Sequence, residues 1–160
     1  MTIKVGDTLP DVTFTTMTAD GPTRVTTDEV FGGRTVALFA VPGAFTPTCS
    51  ARHLPGFIQK ASELKAKGID RIVCTAVNDA FVLGAWARDQ GAGEEVMMLA
   101  DGNADFAREI GLVIDASKFG MGIRSQRYSM VVEDKVVKHL FVEESGDFKV
   151  SSAEHMLAAL

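Results

Sequence analysis

Apolar positions change their period several times along the 160-residue chain, and each change marks an element. Residues 10–26 place Thr, Val and Phe on either side of Ala19-Asp20-Gly21-Pro22, which predicts an N-terminal β-hairpin turning at that polar cluster. After Gly32-Gly33 the run Thr35-Val36-Ala37-Leu38-Phe39-Ala40-Val41 is apolar almost throughout, the pattern of a central strand covered on both faces. The period then lengthens. Leu54, Phe57, Ile58, Ala61 and Leu64 follow helical spacing as far as Gly68, and Pro55 inside the pattern predicts a bend near the first turns. Residues 71–77 (RIVCTAV) read as a second buried strand, and Asn78-Asp79 cap a helix that Gly91 to Gly93 end. Val96–Ala100 is a further short strand, followed by a helix near 103–110. Tyr128–Val132 and Val136–Val142 pair as a hairpin through Glu133-Asp134-Lys135, and a helix from about Ser152 to Leu160 closes the chain.

Strands that alternate with helices need crossover connections and a mostly parallel centre, and the late hairpin adds antiparallel strands. The expected fold class is therefore α/β, with a central mixed β-sheet flanked by helices and preceded by a β-hairpin. A thioredoxin-like arrangement is the natural candidate. No repeat, low-complexity tract or compositional shift marks a linker, so residues 1–160 read as a single domain.

Composition narrows the function classes. An apolar content of 46% with 23% charged residues suits an ordinary globular protein with a full core. The net charge is −5 and Lys and Arg never form a run, so nucleic acid is not an expected partner. No basic stretch followed by an apolar run opens the chain, and no apolar segment approaches bilayer length. The expected location is the cytoplasm, where thiols stay reduced, without membrane association. The two cysteines, Cys49 and Cys74, are 25 residues apart, which excludes a disulfide framework, a CxxC pair and a zinc knuckle. His139 and His155 have no acidic or cysteine neighbours at ligand spacing, so a metal site is not expected. The seven methionines and Trp86 read as core filling.

Cys49 stands apart because of its neighbours, AVPGAFTPTCSARHLPGFI over residues 40–58. It follows a buried strand and immediately precedes a helix, where unpaired N–H groups and the positive end of the macrodipole favour an anion. A thiol placed there is expected to ionise more readily than usual. Thr46 and Thr48 bring hydroxyls within a turn of the sulfur, Pro42 and Pro47 stiffen the loop, and Phe45 and Val41 are expected to limit water. On this chemistry alone a nucleophile and a buried filler remain equally open. His53, four residues on, invites a Cys–His pair of the hydrolase kind. Side chains on one helix lean toward its N-terminus and align poorly for proton transfer, so a structural or subunit-contact role fits His53 better.

The string Pro42-Gly43-Ala44-Phe45-Thr46-Pro47-Thr48-Cys49-Ser50 resembles the active-site signature of peroxiredoxins, P-x-x-x-T-x-x-C, and PGAFTPTCS…HLPGF resembles the peroxiredoxin-5-like (type II) subfamily. The likeness continues in Val77–Val82, in Asp101–Gly111 and in Gly122–Met130, and so covers nearly the whole chain. It implies a thiol peroxidase that reduces hydrogen peroxide and alkyl hydroperoxides without metal or haem. Carried onto this sequence, Cys49 is the peroxidatic nucleophile that becomes a sulfenic acid. Thr46 holds the peroxide, Pro42 shields the sulfur, and backbone N–H groups near Gly43 and Cys49 complete a polar cradle. A guanidinium is also required. Arg124 and Arg127 are both candidates that spacing does not separate, and the family pattern points to Arg127, leaving Arg124 a supporting role.

One departure from the family concerns recycling. Some peroxiredoxin-5-like proteins carry a resolving cysteine after the last hairpin, where this chain has Asp147-Phe148-Lys149-Val150-Ser151-Ser152. Cys74 lies mid-strand and reads as core, with a minor prospect of resolving. The expected route is a one-cysteine cycle in which glutathione with glutaredoxin, or thioredoxin, attacks the sulfenic acid. Family members commonly dimerise through loops around the active site, so a homodimer is expected. A redox sensor using the same sulfur is the non-catalytic alternative.

Overall fold

In the computed structural model, which describes residues 2–160, a seven-stranded mixed sheet runs through the centre of the molecule in the order β2-β1-β5-β4-β3-β8-β9. Its core is parallel: β3 (Thr35–Ala40) pairs with β4 (Arg71–Ala76), and β4 with β5 (Met97–Ala100). These three strands are buried nearly throughout because helices cover them, which is why their sequences are continuously apolar. The hairpin β1 (Thr13–Thr18) and β2 (Gly21–Thr26) joins one edge through a single antiparallel pairing to β5. The late hairpin β8 (Tyr128–Glu133) and β9 (Val136–Val142) joins the other edge antiparallel to β3.

The sheet separates two apolar clusters. One face packs Phe39, Cys49, Leu54, Phe57, Cys74 and Trp86, and the other packs Phe14, Leu38, Val73, Leu99 and Tyr128. Alternate residues of a strand face opposite ways, so Phe39 and Cys74, register partners on β3 and β4, lie on the same face as Cys49. Helices α2 (Leu54–Gln59), α3 (Ala61–Ala66), α4 (Ala80–Gln90), α5 (Asp105–Glu109) and α6 (Ala153–Ala159) supply the layers. Asp79 caps α4, its carboxylate accepting from Val82 N at 2.8 Å, as the Asn-Asp dipeptide predicts. Among the described residues no helix is long and apolar enough to cross a membrane.

Three features were not anticipated. Helix α1 (Thr27–Phe31) is only five residues long, yet Thr26 and Glu29 form a reciprocal capping box that stabilises it. A separate two-stranded ribbon pairs β6 (Val113–Asp115) with β7 (Ile123–Ser125); three-residue strands are too short to show a period. The third is a correction to the expected bend. The helix begins at Pro47, widens into a π-helical turn at Cys49–His53, and breaks at Lys60 between α2 and α3. The distortion therefore precedes Pro55 as well as following it. Leu54 N bonds Cys49 O, five residues back, and so absorbs the crowding that a proline ring imposes on the turn before it.

Candidate active site

The site forms where β3 ends. Val41 N bonds Thr75 O at 3.2 Å, which keeps the chain in register with β4 until Pro42 turns it away. Gly43 then passes so close to its neighbours that a Cβ would meet Arg124 Nη1, Met121 Cε and Thr46 Cγ2, each at 3.3 Å. Its carbonyl accepts from Thr46 N at 3.4 Å and from Thr46 Oγ1 at 2.7 Å. Ala44 N bonds the Asn78 side chain at 2.9 Å, tying this loop to the one after β4. Phe45 takes a left-handed backbone conformation, φ 66°, costly for a bulky residue, and its ring is exposed. The expectation that Phe45 limits water at the sulfur is thus corrected. Val41 is buried in the same cluster as Cys49, whereas Phe45 faces solvent.

Thr46 O accepts from Ser50 N at 2.9 Å, so Thr46 stands at the helix start with Pro47 behind it. This brings Cys49 into the first turn, fully buried, with its sulfur 2.8 Å from Thr46 Oγ1 and 3.1 Å from Arg127 Nη2. A hydroxyl carries one proton, so Thr46 can serve either Gly43 O or the sulfur, not both. A thiol donates to Thr46 Oγ1 while that hydroxyl donates to Gly43 O. A thiolate takes the hydroxyl proton for itself. The pair therefore accommodates both charge states of sulfur without moving a heavy atom.

Arg127 lies between β7 and β8. Its Nη2 donates to Cys49 and its Nη1 to His53 Nδ1 at 2.9 Å. A guanidinium has no acceptor, so Nδ1 is unprotonated and the ring hydrogen sits on Nε2, which donates to Ser151 O at 2.9 Å. Burial, together with the Arg127 charge, lowers the His53 pKa from 6.5 to about 3. Both ring nitrogens are engaged away from the sulfur, so a Cys–His hydrolase pair has no base to offer. The widened turn helps explain this, since it rotates His53 off the line that four-residue spacing would give a regular helix.

Arg124, on β7, instead donates from Nε to Met121 O at 2.9 Å and from Nη1 to Val77 O at 3.2 Å, and packs against Gly43. The two arginines do not share a strand, since Arg124 is within β7 and Arg127 lies in the connection to β8. Cys74 is fully buried opposite Phe39, and burial raises its thiol well above the ordinary value, with the Cys49 sulfur adding to the effect. Neither cysteine is in a disulfide. Pro42 and Thr48 line a cleft of about 180 Å³ with Ile114, Gln126, Arg127 and the loop from Glu143 to Asp147. A larger cavity of about 410 Å³, near Met17, Arg88 and Met98, has no cysteine or histidine in its lining. Among the described residues no group of three or more His, Cys, Asp or Glu is placed to hold a metal ion.

Residues that no sequence pattern singled out for the site complete the surroundings. Phe148 lies 5.0 Å from the His53 ring, with the guanidinium carbons of Arg52 and Arg127 at 4.7 and 5.9 Å from its centroid. Ser50 Oγ accepts from Trp86 Nε1 at 2.9 Å, so Trp86 has a polar anchor as well as a core position.

A helix-start thiol under a guanidinium, on a thioredoxin-like sheet, defines a thiol-redox class of protein. Comparison with known proteins carries this further. Residues 4–157 match the Redoxin family model. Peroxiredoxin-2E-2, chloroplastic, of Oryza sativa subsp. japonica is 54% identical over 99% of this chain and 73% of its own length. The reduced Prx3 of Vibrio vulnificus in complex with H2O2 superposes with a TM-score of 0.94 at 51% identity, over 98% of both chains. The antioxidant protein of Plasmodium falciparum, a 1-Cys peroxiredoxin, superposes at 0.90 with 28% identity over 96% of both chains. The chain belongs to the redoxin family and, within it, to the peroxiredoxins of the type II, peroxiredoxin-5-like kind. It is a thiol peroxidase of thioredoxin-like fold.

Proposed function

We propose that Cys49 is the peroxidatic nucleophile, that Thr46, Arg127, Pro42 and Gly43 form its peroxide site, and that an external thiol returns it to the reduced state. The observation that carries this reading is the double donation to one sulfur, from Thr46 Oγ1 at 2.8 Å and Arg127 Nη2 at 3.1 Å. Both donors suit a sulfur anion and also the oxygens of a peroxide placed against it. The thiolate attacks the nearer peroxide oxygen, forming the S–O bond as the O–O bond breaks. The leaving oxygen takes from solvent a proton equivalent to the one the thiol released on ionising, departing as water or alcohol. Sulfur is oxidised to the sulfenic acid and the peroxide is reduced. The Arg127 charge and the Thr46 hydroxyl, both donors to the sulfur, are the groups that stabilise the developing oxyanion on this reading. Pro42 limits water at the mouth of the cleft.

A one-cysteine cycle is supported by Ser151 and Ser152, which occupy the segment where some relatives have a resolving cysteine, and by Cys74 being buried mid-strand. Glutathione with glutaredoxin, or thioredoxin, is the reductant class this requires. Two unpaired thiols suit a reducing compartment such as the cytoplasm. A homodimer is supported by exposed Phe45, Phe81, Phe119 and Ile123, which lie in or next to loops tied together by the Ala44–Asn78 and Arg124–Val77 bonds.

Hydrogen peroxide turnover, measured side by side with glutathione/glutaredoxin and with thioredoxin, tests the reading. Cys49→Ser is expected to be inactive and Cys74→Ser to turn over normally with at least one reductant. Loss of turnover with every reductant in a folded Cys74→Ser protein overturns the one-cysteine cycle. If the wild type forms the sulfenic acid once but never cycles, the sensor reading replaces the enzyme.

A further inference from the structure

Glu143 follows β9 and is 8% exposed, yet it forms no ion pair among the described residues. One of its oxygens, Oε2, instead accepts from Lys149 N at 2.8 Å, Val150 N at 2.9 Å, Ser151 N at 2.8 Å and Ser151 Oγ at 2.7 Å. Burial pushes this carboxyl up, but the Ser151 hydroxyl and the three amides outweigh it, and the group is held below the ordinary carboxylate value. A desolvated carboxylate costs several kcal/mol unless its lone pairs are satisfied, so the 149–151 backbone is committed to wrapping around it.

The consequences reach the sulfur. Glu143 N donates to Arg127 O at 3.0 Å, Arg127 Nη1 donates to His53 Nδ1 at 2.9 Å, and His53 Nε2 donates to Ser151 O at 2.9 Å. Ser151 then returns to the Glu143 carboxylate through its own N and Oγ. The bonds close into a ring, and among the described residues the other hydrogen bond from the Arg127 guanidinium runs from Nη2 to Cys49 Sγ. Ser152, next along, caps α6 by accepting from His155 N at 3.1 Å, which fixes the far end of the loop.

We infer that Glu143 is a positioning residue for the peroxidase site: by holding the 149–151 backbone it places the Ser151 carbonyl that fixes His53, and through His53 the guanidinium that touches Cys49. This rests on the peroxidase reading for its purpose, but its geometry stands apart from turnover. His53 accepts from Arg127 only while its hydrogen is on Nε2, and the Ser151 carbonyl is what keeps it there. The Glu143 carboxylate makes no hydrogen bond to the Cys49 sulfur, although Glu143 lines the same cleft as Pro42 and Arg127. The carboxylate also acts on His53 by charge, favouring the protonated ring against burial and the Arg127 charge, so both routes on which the inference rests run through His53.

The test follows the pH midpoint of Cys49 alkylation by iodoacetamide in the full chain, with ¹⁵N NMR of the His53 ring as a second readout. Glu143→Gln keeps the shape and removes the charge that gathers the four donors. It is expected to raise the midpoint by about half to one pH unit, on the order of three- to tenfold less thiolate below it, and to mix the two His53 tautomers. His53→Phe, which removes both ring bonds, is expected to raise the midpoint on its own. In the double variant Glu143→Gln should add nothing further, because its route is already cut. A folded Glu143→Gln protein with the wild-type midpoint and tautomer overturns the inference. So does a shift that persists undiminished in the His53→Phe background. If Glu143→Gln does not fold by circular dichroism, Ser151→Ala, which removes one of the four bonds, carries the same readouts with a smaller shift, and no shift overturns it. A wild type that alkylates normally but consumes no peroxide with any reductant sinks the peroxidase reading and leaves the ring to be judged on these readouts.

Discussion

Cys49 and Cys74 are both fully buried, both unpaired and both part of one apolar cluster, yet their surroundings are opposite in kind. Cys74 lies in the middle of β4 with no donor among the described residues aimed at its sulfur, and desolvation and the repulsion of a second sulfur outweigh the more distant pull of the Arg127 charge. Cys49 lies beyond the sheet, in the first turn of the helix that follows β3, and the Thr46 hydroxyl and the Arg127 guanidinium come within 3.1 Å of its sulfur. Burial alone makes a thiol inert, whereas burial beside fixed donors makes an anion whose partners cost no reorganisation when charge moves. On the proposed reading, reactivity at Cys49 comes from what faces the sulfur, not from how much water reaches it.

The largest effect expected is the complete loss of peroxide consumption in Cys49→Ser. The next comes from the donors. Arg127→Ala removes the guanidinium from Cys49 and leaves His53 with an unmatched buried acceptor. By the measure of a lost oxyanion donor, it is expected to slow the first step by roughly 10²–10³-fold, about 3–4 kcal/mol. Arg124→Ala breaks bonds to Met121 O and Val77 O but none to the sulfur, so a loss of under about tenfold is expected. Single-turnover stopped-flow with hydrogen peroxide ranks the two, and the reverse order would dissolve the distinction drawn between the arginines.

A subtler effect separates the two cysteines' surroundings by pH. His53 has a pKa near 3 in the folded chain against 6.5 when unfolded, so the unfolded state takes up its proton first as pH falls. Its contribution to stability is complete above about pH 6.5 and is lost between there and about pH 3, by at most about 1.4 kcal/mol per pH unit. Cys74 has the opposite sign. Its thiol is raised, so its contribution is complete below the ordinary thiol range and is lost as pH climbs through and above it. Denaturant melts across pH should therefore sag on the acid side for the wild type and less so for His53→Phe. An acid limb unchanged in His53→Phe would mean that the buried imidazole is not what the acid attacks.

How far the sequence disclosed these arrangements depended on the range of the interaction. The parallel core was legible because strands covered on both faces must be apolar throughout, and RIVCTAV and TVALFAV are. The α4 cap was legible because Asp79 acts within three residues. The ribbon β6–β7 escaped because three residues carry no period, and α1 because its Thr26–Glu29 box precedes no apolar run. The site's near part, Pro42 to Cys49, was legible as a local signature. Its far part was not, since Glu143, Phe148 and Ser151 reach His53 across some ninety residues of chain. Only folding brings β9 and the loop after it beside the turn that follows β3. The preference for Arg127 over Arg124 rested on resemblance, because no spacing rule states that β7 ends before residue 126 and frees the next arginine from the ribbon.

The smallest expected effect is also the sharpest test of the contrast between the two thiols. Cys74→Ala removes a sulfur that packs among Phe39 and its neighbours and leaves a hole no larger than that atom. The protein should lose on the order of 1–2 kcal/mol of stability, typical of trimming a buried side chain by one heavy atom. The first peroxide step should proceed at the wild-type rate, because neither donor to Cys49 touches residue 74. Removing the raised thiol should also flatten the alkaline limb of the stability profile, since the group that ionises only on unfolding is gone. If Cys74→Ala instead slowed the first step while remaining folded, the two sulfurs would have to communicate through the apolar cluster. Reactivity at Cys49 would then depend on its buried neighbour as well as on the donors in front of it.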